Sequence, residues 1–158
     1  TAIIHAPNVK HIRAVDVSAK MLEIAQAKAD AANISNITFE HAGMDELSAP
    51  DAAYDVVLGM SILHLLDDKE AAVAKVYKML KTGGVFISST VCIGEKMGFI
   101  KLIAPIGRAL GMLPTLKVFT TQQLEDSIVA AGFETEHRWR PHEGMTLFLV
   151  TRKPNAQP

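Results

Sequence analysis

No strand and no glycine-rich loop stand ahead of "HIRAVDVSAKMLEIAQAKA", a segment that reads as the second strand and following helix of a nucleotide-binding α/β domain. Thr1 to Lys10 precede it, and "TAIIHAPNV" has the look of a helix tail running out through Pro7 and Asn8. The expectation is an N-terminally truncated domain that lacks its central strand and part of its ligand site. Cysteine is nearly absent: Cys92 alone excludes an intramolecular disulfide and a thiolate cluster. His5, His11, His41, His137 and His142 show no zinc-site spacing, so no metal is expected. An excess of either charge is missing as well. Sixteen basic against seventeen acidic residues give a net charge of −1, which offers no strong field for nucleic acid or an acidic membrane. The longest apolar stretch, Met97 to Leu113, is broken by Lys101, Pro105 and Arg108, whereas a membrane span needs about 20 mostly apolar residues. Without a basic-flanked leader or a transmembrane segment, a cytoplasmic location is expected.

What is present suits a single domain, residues 1–158, with 49% hydrophobic and 21% charged residues. Strand and helix signals alternate, the pattern of a parallel sheet covered on both faces. After a strand ending at Asp16, Ser18 is placed to cap a helix through Ala32, with Met21, Leu22, Ala25 and Ala29 on one face and Asn33 ending it. "NITFEHA" reads as a short strand and "AAYDVVLGM" as a buried central one. Asp67 and Glu70 have capping-box spacing for a helix carrying Val73, Val76, Tyr77 and Leu80 and stopped by Gly83-Gly84. "GGVFISSTV" is the next strand. Thr120 and Gln123 open a last helix that Gly132 closes, and strands near "FETEHRWR" and "MTLFLVTRK" flank the turn-like "PHEG".

An acid that closes the second strand is positioned for a ligand at the carboxyl edge of the sheet, where a carboxylate accepts from ribose hydroxyls. Asp16 therefore suits a dinucleotide or S-adenosylmethionine equally. Capping the helix is its ordinary alternative. His64, in the apolar "ILHLL", is either a hydrogen-bonded structural histidine or a titratable ring beside the site. Cys92 reads as a buried inert thiol, and Trp139 and Arg140 as packing and solvated residues with access to a substrate as the alternative.

Taken in order, "AVDVSAKMLEIAQAKA", "AAYDVVLGMSILHLLDD", "VYKMLKTGGVFISST" and "FTTQQLEDSIVAAGFE" resemble the class I S-adenosylmethionine-dependent methyltransferases, with a closing hairpin that favours them over nicotinamide-dependent oxidoreductases. The resemblance covers nearly the whole chain. It implies an α/β, Rossmann-like sheet with helices on both faces, in the strand order 3-2-1-4-5-7-6 with strand 7 antiparallel and, here, strand 1 missing. It further implies S-adenosylmethionine as cofactor and methyl transfer to a small-molecule acceptor. In that frame Asp16 would take the ribose, and Val17 and Met21 would flank the adenine or else pack the helix, packing being the preferred reading of Met21. Gly43 stands where many relatives carry an acid, so backbone around Gly43 and Met44 would read the adenine edge. Gly59 and Met60, with Ser61, would border donor and acceptor, and His64 would orient the acceptor or take its proton. Residues 92–117, rich in apolar side chains, would form a cap admitting an apolar acceptor, or else a dimer or lipid contact. Competing readings are a non-catalytic donor-binding or assembly module and a nicotinamide-dependent oxidoreductase. A sheet without its central strand also raises homo-oligomerisation or strand exchange.

Overall fold

The computed structural model describes residues 1–92, 119–141 and 145–155. The expected cap beyond Cys92 and the "PHEG" turn beyond Pro141 lie outside them. The chain divides into two compact units, Thr1–Ser48 and Ala49–Pro158.

The first unit opens with α1 (Ala2–His5) and a 3-10 turn (Ala6–Asn8), followed by β1 (Ile12–Asp16), α2 (Ala19–Ala31) and β2 (Ile37–His41). The helix starts where expected, because the Ser18 hydroxyl accepts from the Met21 amide at 3.3 Å. It ends at Asn33, whose φ of 54° is the left-handed conformation that asparagine tolerates. Strands β1 and β2 pair in parallel with Asp16 opposite His41. Two side-chain links fasten this pair: Asn36 Nδ2 donates to the carbonyls of Ala6 and Val9, and the Arg13 guanidinium grips both Glu40 oxygens at 2.7–2.8 Å. That guanidinium holds the Glu40 carboxyl below its ordinary range.

In the second unit β3 (Tyr54–Met60) leads through a 3-10 turn (Leu63–Leu65) into α3 (Lys69–Met79) and β4 (Leu80–Val91). The helix α4 (Thr121–Ala130) and strands β5 (Glu134–Trp139) and β6 (Thr146–Arg152) complete it. The sheet order is β3-β4-β6-β5, with β3 parallel to β4 and β6 antiparallel to both β4 and β5. The two sheets thus follow the orders 3-2 and 4-5-7-6 expected from the resemblance, and the antiparallel strand is the expected one. Helix α4 has the full capping box: Thr120 Oγ1 accepts from the Gln123 amide while Gln123 Oε1 accepts from the Thr120 amide.

Three local expectations change. The cap of α3 is Asp68, not Asp67; its Oδ1 accepts from the Ala71 amide at 2.8 Å, and Glu70 turns instead to Lys69 and to the Ser127 hydroxyl. The same helix stops at Met79 rather than at the glycines. Lys153 Nζ takes the carbonyls of Tyr77 and Leu80, and Leu80 already pairs with Tyr54, so Gly83 at φ 76° lies inside an irregular stretch of β4. Strand β3 is not buried throughout: Val56 is 50% and Leu58 39% exposed. Val56 and Leu58 point to one face of the sheet, whereas α3, joined through Phe133 to Phe86, packs on the opposite one.

That opposite face holds the core. Phe86, Leu147 and Leu149 are buried there with Leu124 and Ile128 of α4, and the Phe133 ring bridges Phe86 and Tyr77 at 5.7 and 5.0 Å between centroids. Gly132 makes this possible twice over. Its φ of 99° turns the chain after α4, and a Cβ there would stand 3.1 Å from the Tyr77 ring. A Gly132→Ala variant is expected to lose about 1–3 kcal/mol of unfolding free energy from overpacking and backbone strain, as read in urea titrations.

Candidate functional site

In the first unit the carboxyl ends of β1 and β2 lie side by side, and the sequence places an acid on one and a glycine beyond the other. Asp16 closes β1. Its Oδ1 accepts from the Ser18 amide at 2.8 Å, an Asx-type turn ahead of the helix whose cap is Ser18 itself, while Oδ2 makes no hydrogen bond among the described residues. The Asp16 carbonyl accepts from the Ala42 amide at 3.2 Å, and His41 Nε2 lies 2.8 Å from the Val17 carbonyl. Val17 is 70% and Met21 55% exposed. The helix-packing role natural for Met21 is therefore not what its surroundings supply.

Gly43 comes next to Val17: a Cβ built on the glycine would meet Val17 Cγ1 at 3.7 Å, an ordinary contact. The Gly43 amide donates to Glu46 Oε2 at 3.3 Å and the Leu47 amide to the Gly43 carbonyl at 2.9 Å, which shapes the turn that includes Met44. Asp16 and Val17 thus lie at the end of β1 and Gly43 in the turn beyond β2, with Met21 in the first turn of α2. Exposed apolar side chains, Val17 and Met21, follow a strand end where one carboxylate oxygen of Asp16 is unengaged among the described residues.

In the second unit Gly59 and Met60 are the last residues of β3. Gly59 is buried, and a Cβ there would approach the Phe86 ring to 3.1 Å, so its missing side chain is used by the core. Met60 lies on the half-exposed face with Val56 and Leu58. Ser61 then takes a left-handed φ of 57° while its amide donates to the Ser89 carbonyl at 2.7 Å. Such strain in a non-glycine residue is uncommon and needs surrounding structure to hold it. No feature of the sequence marks Ser61 for it.

His64 sits in the 3-10 turn that follows, 8% exposed, with Nδ1 buried and unpartnered. The buried Ser88 Oγ and Thr90 Oγ1 on β4 are unpartnered too. Burial pushes the imidazole below its ordinary value of 6.5, so the ring is neutral at pH 7 and keeps a lone pair able to take a proton. Cys92 is fully buried, as its inert reading expects. Among the described residues no helix is long and apolar enough to cross a membrane.

Sheet order, an acid at the end of β1 and a helix-covered parallel core define the class: a Rossmann-like methyltransferase fold. The sequence pattern of the methyltransferase-domain family matches residues 1–84. The chain belongs to that family, within the class I S-adenosylmethionine-dependent methyltransferases. It is 35% identical over 82 residues to the uncharacterized protein YafE of Escherichia coli (strain K12), covering 52% of this chain and 40% of that protein. Over 126 residues it is 29% identical to a probable S-adenosylmethionine-dependent methyltransferase of Mycolicibacterium smegmatis, covering 77% of this chain and 46% of that one. The chain therefore spans less than half the length of these two relatives. Among solved structures the [4+2]-cyclase SpnF shares the fold with a TM-score of 0.80 at 19% identity, over 98% of this chain and 70% of its own.

The neutral, buried His64 makes a prediction about stability. Its folded pKa lies below that of the unfolded chain, so the unfolded state binds more protons and stability rises with pH across that interval. Urea titrations are expected to show the protein losing stability as pH falls below 6.5, until the folded-state pKa is passed. A His64→Leu variant is expected to lose less over the same range.

Proposed function

We propose that this chain carries the nucleoside end of an S-adenosylmethionine site and serves methyl transfer to a small-molecule acceptor. The observation that carries the reading is the Asp16 carboxylate. One oxygen is spent on the Ser18 amide and the other is left at the carboxyl edge of the sheet to accept from ribose. The exposed Val17 and Met21 beside it and the side-chain-free Gly43 fit the flat adenine ring, with backbone at Gly43 and Met44 along its edge. The residues of the first unit thus fit the group.

When bound, S-adenosylmethionine supplies a methyl group already activated on a sulfonium. The protein's contribution is then orientation, worth about 7–11 kcal/mol in favourable systems. Asp16 fixes the ribose, and Val17 and Met21 hold the adenine against rotation. In the second unit Gly59 and Met60, at the end of β3, would border the acceptor. His64, neutral at pH 7, would receive the proton of an oxygen or nitrogen acceptor. The burial of His64 favours a second reading, donor binding without transfer, because a proton acceptor must reach its substrate.

Calorimetric titration of S-adenosylmethionine into the chain is expected to give saturable binding, weakened about tenfold or more in Asp16→Asn through loss of a charge-assisted hydrogen bond. Binding that ignores this change overturns the assignment of Asp16. In single-turnover assays with an accepted substrate, His64→Ala is expected to slow transfer about 100-fold. An unchanged rate removes His64 from the reaction and leaves orientation as the whole of catalysis.

A further inference from the structure

We propose that His41 is a positioning residue for the nucleoside end of this site: its ring holds the Val17 carbonyl and, through it, the turn that presents Asp16. The inference rests on the reading of Asp16 given above. It starts from strand register. Parallel pairing puts His41 opposite Asp16 at the last step of β1 and β2, so the imidazole stands beside the turn leaving β1.

Successive hydrogen bonds hold that turn. The Asp16 carbonyl accepts from the Ala42 amide at 3.2 Å, Asp16 Oδ1 from the Ser18 amide at 2.8 Å, and Ser18 Oγ from the Met21 amide at 3.3 Å. Between them the Val17 carbonyl is met by the His41 ring at 2.8 Å. Packing cannot replace this contact, since the Val17 side chain is 70% exposed. A turn held by hydrogen bonds and little buried surface is free to move when one bond is cut. The residue that would move is the one beside both the ribose acid and the adenine.

Chemistry also sets the state of the ring. A carbonyl oxygen only accepts, so Nε2 must carry the proton, and in the neutral imidazole Nδ1 is then bare. Nothing in the composition singles out this histidine among six; the register does. Its effect on the ligand is preorganisation. With Val17 held, the carboxylate and the Val17 side chain are already at their bound spacing, and ordering them costs no affinity when the nucleoside arrives.

The test uses the full chain with adenosine and S-adenosylmethionine as probes, beside nitrogen-15 NMR of the imidazole. Expected are a protonated Nε2 and bare Nδ1 in the neutral ring, and about a five- to tenfold loss of affinity for both probes in His41→Ala, the worth of one hydrogen bond. Recovery is expected in His41→Gln, whose side-chain N–H has similar reach, with the melting temperature of both variants near that of the unmodified chain. An Nδ1-protonated ring, or full affinity in His41→Ala while Asp16→Asn is weakened, overturns the role of His41 alone. A loss in His41→Ala that Gln does not restore does the same. Affinity unchanged in Asp16→Asn, or no adenosine binding by the unmodified chain, overturns the nucleoside reading and the inference with it.

Discussion

Strand β4 has to satisfy backbone groups on both of its sides while burying one face, and the second unit is arranged around that requirement. It meets the demand with a parallel partner in β3 and an antiparallel one in β6. Antiparallel pairing requires the chain to return on itself, which is why the unit closes with the β5-β6 hairpin instead of another crossover helix. Burial of Phe86, Leu147 and Leu149 on one face then fixes where α3 packs, and Phe133 ties that helix to the strand. Even the end of α3 belongs to this constraint. Lys153 reaches from the residue after β6 to take the carbonyls of Tyr77 and Leu80, so the last strand decides where the helix gives way to β4.

The first unit works on a smaller scale by the same logic. Two parallel strands bring together two turns that are far apart in sequence, and their register decides which side chains meet. Arg13 and Glu40 are joined below the strand ends, Asp16 and His41 stand at them. The candidate nucleoside site is therefore a product of pairing between "HIRAVD" and "ITFEH", with the helix cap Ser18 and the glycine turn around Gly43 setting its two rims. The contact of Asp16 with the Ser18 amide occupies only one of its two carboxylate oxygens.

Family membership and fold carry different amounts of information about function. The fold is shared at a TM-score of 0.80 with a [4+2]-cyclase, so the sheet order alone names an architecture and no reaction. Reaction class comes from the family pattern over residues 1–84, which spans Asp16, the Gly43 turn and His64. Within that span the site reading depends on how each residue is used. Gly59 illustrates the point: its lack of a side chain suits a closely approached ligand, yet the Phe86 ring occupies the space.

Periodicity, caps and turn residues are local, and for that reason the sequence by itself determined the α/β class, the succession of strands and helices along the chain, the Ser18 and Thr120 caps, the helix ends at Asn33 and Gly132, and Asp16 as the acid at a strand end. Each depends on neighbours within a few positions. Tertiary structure alone decided what depends on distant contacts. It moved the end of α3 because Lys153 competes for its carbonyls, exposed one face of β3 because α3 and the core lie on the other, and left Met21 open where helical spacing suggested packing. It also buried His64 without a partner for Nδ1 and set His41 against Val17. A hydrogen bond between residues 24 positions apart follows from strand register, and register is a property of the folded pair, invisible in either strand taken singly.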